Sequence, residues 1–78
     1  MDIRAQVYKV VSSLSGQNPD SIEDGTTIAS LGIDSLNLMD LVFQVQDLCD
    51  VEFGDKDLLP SNLGTVGSII TTVQRLRG

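Results

Sequence analysis

The chain has 78 residues, 41% of them hydrophobic and 4% aromatic, with no tryptophan and a formal charge of -6 from 11 acidic and 5 basic side chains. Such a length fits one domain, residues 1–78, with a small core and no deep cleft. The acidity disfavours nucleic acid and membrane insertion, and the absence of histidine excludes Ser-His-Asp catalysis and leaves no set of zinc ligands.

The opening Met1-Asp2-Ile3-Arg4 has neither the basic region nor the apolar run of a signal peptide, and no segment is long enough to span a bilayer. A cytoplasmic protein is expected, and ends set close to the first and last helices suit a free-standing protein more than its alternative, an excised domain. Ile3, Val7, Val10, Val11 and Leu14 recur at helical spacing, which predicts a first helix. Asp2 suits its N-cap, and Gly16 followed by Asn18-Pro19 ends it. Gln17 to Asp34 reads as a long loop broken by Pro19, Gly25 and Gly32, in which Ile22, Ile28 and Leu31 are the pins that hold it to the body.

A second helix is expected from Ser35 to Cys49. Stepping about a hundred degrees per residue puts Leu38, Leu41, Val42, Val45, Leu48 and Cys49 on a core face. Cys49 then serves as a small buried hydrophobe, since a lone cysteine forms no internal disulfide. The opposite face carries Leu36, Met39 and Phe43 among Asp40, Gln44, Gln46 and Asp47. Two readings meet there. Either the bundle wraps this helix on both sides or its exposed apolar residues are ordinary, or the face is a docking stripe in which Leu36, Met39 and Phe43 give apolar contact and Asp40 and Asp47 orient basic groups of a partner.

Beyond it, Phe53 is a core plug. Asp55-Lys56-Asp57-Leu58-Leu59 predicts a brief third helix capped by Asp55 and halted by Pro60. Thr65 caps a last helix in which Val66, Ile69, Ile70, Val73 and Leu76 keep an apolar stripe, and Arg75 and Arg77 complement its negative end. The fold class is all-α: a small four-helix bundle of three main helices and one short one, with a long first loop.

The segment Leu31-Gly32-Ile33-Asp34-Ser35-Leu36 sets a serine where a glycine-containing turn enters the second helix. Serine becomes a nucleophile only beside a general base. Lys9 and Lys56 fall in surface contexts with nothing to lower their pKa, so no local base is available. Either another protein acts on the Ser35 hydroxyl, or Ser35 is a helix cap on a small acidic adaptor.

Leu31, Gly32, Asp34, Ser35 and Leu36, with Thr65-Val66-Gly67 opening the last helix, give the chain a resemblance over nearly its whole length to the acyl carrier and peptidyl carrier proteins. The resemblance implies a non-catalytic, monomeric, acyl-carrier-like bundle in which Ser35 bears a covalent 4'-phosphopantetheine from coenzyme A. It also implies that Asp34 and Leu36 flank that attachment, and that Asp34 helps present Ser35 to a phosphopantetheinyl transferase bringing its own metal. The reactive sulfur is then the cofactor's and not that of Cys49. Helix two, through Leu36, Met39, Asp40, Phe43 and Asp47, is the implied recognition surface for the transferase, an acyl- or aminoacyl-loading enzyme, and the synthases or transferases of the pathway. A start-of-helix site suits a phosphodiester, because free N–H groups and the helix dipole stabilise its charge.

Two departures narrow the expectation. Fatty-acid carriers have a helix two dense in glutamate, whereas this one offers Asp40 and Asp47 with Asn37, Gln44 and Gln46, and Ser30 stands where aspartate commonly precedes Leu-Gly. A specialised polyketide or nonribosomal-peptide-like pathway is expected, with fatty-acid and D-alanyl carriers as alternatives.

Overall fold

The computed structural model describes residues 2–78, with helices α1 (Ile3–Ser15), α2 (Ser35–Cys49), α3 (Pro60–Leu63) and α4 (Val66–Arg77). Three 3-10 turns lie between them, at Pro19–Ser21, Ala29–Leu31 and Asp55–Leu58. Among the described residues the architecture is all-α, with three main helices and one short one, as the periodicity predicts.

The ends of α1 follow from local chemistry. Asp2 accepts from the Ala5 amide at 3.1 Å, filling one of the donors a helix start leaves free, and Gly16 closes the helix in the left-handed region at φ 75. Val7, Val10 and Val11 are buried beneath α2 and α4. The core they share with Leu41, Val42, Val45, Cys49, Val66, Ile69, Ile70 and Val73 is aliphatic, and each fully buried Val, Leu or Ile contributes roughly 1.5–3 kcal/mol.

The long first loop doubles back along α1 instead of crossing open solvent. Its Pro19–Ser21 turn packs on α1, and Asp24 accepts from Arg4 Nη2 at 2.6 Å and from the Tyr8 hydroxyl at 2.6 Å. Ile22 and Ile28 are buried as expected, and Leu31 is half-buried against the core. A third buried pin, Ile33, lies immediately before the Asp-Ser pair. The loop is also stitched to the head of α4: Ile28 N donates to Gly64 O, Val66 N to Thr26 O, and Gly67 N to Asp24 O, at 3.0, 3.0 and 2.7 Å.

Four expectations need correction. Leu48, assigned to the core face, is 39% exposed, because its side chain lies at the edge of the buried face. Gln46 is not an outward polar residue: its Oε1 accepts from Phe53 N at 2.8 Å and holds the chain after α2. The third-helix region divides in two. Its 3-10 turn is capped by Gly54 rather than Asp55, with Asp57 accepting the Gly54 amide at 2.9 Å. That turn ends at Leu58 with Leu59 extended before Pro60, as expected, but Pro60 also begins α3, since a first helical position needs no N–H from its residue. Phe53 is buried as expected.

Thr65 caps α4 reciprocally with Ser68, each backbone amide bonded to the other's hydroxyl at 3.0 Å. Arg75 reaches the buried carboxylate of Asp57 at 2.9 Å, and Arg77 donates to Cys49 O at 2.6 Å, so α2 and α4 end side by side.

Candidate functional site: an exposed serine at the head of a helix

Ser35 is exposed and is the first residue of α2. The N-cap is Asp34, whose Oδ1 accepts from Asn37 N at 2.9 Å. The serine is therefore relieved of the capping bond that would have explained it as a purely structural residue. Its backbone N–H and that of Leu36 lie among the donors that a helix start leaves unpaired, where the dipole favours negative charge.

The turn leading to it is fixed from several sides. Gly32 adopts φ 76, a left-handed geometry that suits glycine, and Gly32 N closes the Ala29–Leu31 turn on Ala29 O at 3.1 Å. Ser30 donates twice to Thr27, from its N to Thr27 Oγ1 at 3.2 Å and from its Oγ to Thr27 O at 2.8 Å. Where aspartate commonly stands, this serine closes its turn by a hydroxyl and without charge.

A groove of about 450 Å³ opens beside Ser35. Its walls include Ile28 and Ile33 of the loop, Leu38 of α2, and Leu58, Pro60 and Leu63 of the α3 region. The groove therefore presents apolar surface next to Ser35. Sequence periodicity does not reveal this groove, because its walls come from three separated segments.

The outer face of α2 leaves Leu36 80% exposed, Phe43 54% and Met39 37%, and none of the three packs on the core. The bundle thus covers α2 on one side only. Asp40 and Asp47 are exposed on that same face. Leu59, which no periodicity singles out, is exposed beside the groove. Seven of the 11 acidic residues but only Lys56 of the bases fall within residues 34–57, so that segment carries the whole net charge of -6. The remaining surface is balanced by Arg4, Lys9, Arg75 and Arg77.

Other reactive groups lie apart. Cys49 is fully buried, and desolvation pushes its thiol pKa up, only partly opposed by Arg77. Lys9 and Lys56 are exposed. No cluster of three or more metal-ligating side chains occurs among the described residues, and no described helix is long and apolar enough to cross a membrane.

Comparison with known proteins shows the family. The family model for the phosphopantetheine attachment site matches residues 5–73. An acyl carrier protein of Rhodococcus erythropolis is 32% identical over 76 residues, covering 96% of this chain and 81% of its own. A meromycolate extension acyl carrier protein of Mycobacterium leprae is 30% identical over 76 residues, or 96% of this chain, which spans 64% of that relative. The non-reducing polyketide synthase tazA of Aspergillus terreus is 33% identical over 72 residues, 92% of this chain but 3% of the synthase. The chain belongs to the phosphopantetheine attachment site family, and is a carrier protein of the acyl carrier type.

Proposed function

We propose that residues 1–78 form one carrier domain that holds acyl or aminoacyl groups on a 4'-phosphopantetheine arm attached at Ser35. The observation that carries this reading is an exposed serine hydroxyl at the first turn of α2, freed of capping by Asp34 and bordered by an apolar groove. The residues fit the group: a phosphodiester on Ser35 lies at the positive end of α2, and the groove offers apolar surface to the arm and its cargo. When bound, the arm supplies the thiol on which cargo is held as a thioester.

This chain's own residues hold and present that attachment. Asp34 fixes the helix start through Asn37 N while staying exposed, and Leu36 offers an apolar contact beside the serine. Leu36, Met39 and Phe43 form the apolar strip of a docking face, with Asp40 and Asp47 steering basic partners to it. The partners are a phosphopantetheinyl transferase, a loading enzyme and the synthases or transferases of one pathway. Such contacts are small and quick to exchange, which suits a monomer that visits several enzymes in turn. Catalysis belongs to those partners, and the site of action is the cytoplasm.

The pathway we propose is a specialised one of polyketide or nonribosomal-peptide kind. Similarity to the polyketide synthase tazA supports it, as does an α2 with two acidic residues between Ser35 and Cys49. The similarity to the meromycolate extension carrier favours a second reading, a fatty-acyl chain-extension carrier. The test is incubation with coenzyme A and a broad-range transferase, followed by loading with candidate acyl and aminoacyl groups and intact mass measurement. Gain of one phosphopantetheinyl group supports the carrier reading, and failure to gain it refutes it. Cargo accepted from a cognate ligase decides between the two pathways.

A further inference from the structure

Gly67 lies in the first turn of α4, far from Ser35 in sequence, and its surroundings single it out. Its N–H, one of the donors left free at the helix start, reaches Asp24 O at 2.7 Å. A Cβ at this position would stand 2.9 Å from that same oxygen and 3.2 Å from Asp24 Cβ. The obstacle is main chain, so no side-chain rotation relieves it. Gly25 and Gly32, by contrast, have open space where a Cβ would go.

The contact at Gly67 begins a continuous series that ends at the serine. Val66 N holds Thr26 O and Ile28 N holds Gly64 O, each at 3.0 Å, forming a short ladder between loop and helix head. Thr27, in the middle of that ladder, accepts two bonds from Ser30, at its hydroxyl and at its carbonyl. Leu31 N then closes on Ile28 O and Gly32 N on Ala29 O, both at 3.1 Å. Only Ile33, which is buried, and Asp34, which caps α2, remain before Ser35.

We propose that Gly67 is a positioning residue for modification of Ser35: its missing side chain lets the loop seat against α4, and the ladder and the Thr27–Ser30 pair relay that seat to the serine. This rests on the reading of Ser35 as the attachment point. The chemistry at Ser35 is unchanged by it. What Gly67 governs is whether the hydroxyl stands where a docked transferase can use it.

The experiment measures initial rates of phosphopantetheinyl transfer from coenzyme A against carrier concentration, for the unaltered protein, Gly67→Ala, Thr27→Val and Cys49→Ala, well below every melting temperature. Thr27 is exposed, so Thr27→Val removes the bond its hydroxyl accepts from Ser30 without opening the core, and it stands in if Gly67→Ala fails to fold. Displacing a reacting group by a fraction of an ångström lowers rate more than binding, so kcat should fall about tenfold in both loop variants with KM within about twofold. Hydrogen exchange at the Ile28 amide should quicken in both. Cys49→Ala makes a cavity at the far end of α2, about 21 Å from Ser35 at ~1.5 Å per residue, and should keep the unaltered kcat.

An unchanged kcat in either loop variant overturns the proposal. So does an equal loss in Cys49→Ala, which would trace the effect to general stability. If the unaltered protein gains no arm, the reading of Ser35 fails; if it loads and the loop variants match it, only the positioning role fails.

Discussion

Phe43→Ala separates docking from folding. Phe43 is 54% exposed and does not pack on the core, so an enzyme seated on α2 has about half of this side chain still to cover. A phenylalanine buries about 200 Å² in full, so docking removes roughly 100 Å² from water at ~25 cal/mol per Å², or about 2.5 kcal/mol. Alanine retains about 0.5 kcal/mol of that, leaving a loss near 2 kcal/mol, roughly thirtyfold in affinity. Folding should register little of it. The higher helix propensity of alanine offsets the slight packing of the ring along the helix surface, which keeps the melting temperature within about 4 °C. The assay is the carrier-concentration dependence of a cognate enzyme acting on the loaded protein, beside thermal unfolding followed by circular dichroism. KM within about twofold of the unaltered protein, or a melting temperature lowered by about 10 °C, would refute the reasoning: the first removes Phe43 from the interface, the second returns it to the core.

The Tyr8–Asp24–Arg4 cluster gives a pH signature. The hydrogen bond to Asp24, followed by desolvation, raises the Tyr8 pKa above its ordinary 10.0, and the bonds from Arg4 and then Tyr8 lower that of Asp24 below 3.8. The Tyr8 contribution to stability is thus complete below pH 10.0 and lost as pH rises through the higher folded value. The Asp24 contribution is present above pH 3.8 and lost as pH falls through the lower one. Tyr8 is the chain's only tyrosine, so ultraviolet titration reads it directly, and Asp24→Asn should bring its midpoint down toward 10.0; no movement would contradict the bond. Asp50, at φ 54, is the one non-glycine residue in the left-handed region among those described, and it places a negative charge at the C-terminal end of α2. Asp50→Gly relieves both and should stabilise the fold by about 1 kcal/mol in denaturant unfolding, and a loss of stability would contradict this.

What can be read from the sequence is what is locally encoded. Asp2, Thr65 and Gly16 announce helix ends through bonds to residues three or four positions away, and the structure has all three in those roles. The candidate site is legible for the same reason: a glycine turn, an aspartate and a serine stand together before an apolar periodicity. The cap itself requires the structure, since Asp34 and Ser35 both suit it and only geometry assigns it to Asp34. Leu48 is misplaced by periodicity because a helical wheel gives angle and not the reach of the neighbouring helix. The Asp57–Arg75 pair, the groove walls and the approach of Asp24 to Gly67 join residues far apart in sequence, where periodicity carries no information.

The most direct measurement is fragment mass spectrometry of protein treated with coenzyme A and transferase, beside Ser35→Ala treated alike. The phosphopantetheinyl group should lie on Ser35 alone, and the alanine variant, folded because Asp34 still caps α2, should gain no mass. An arm on any other residue, or on the Ser35→Ala protein, would contradict the attachment proposed for the head of α2.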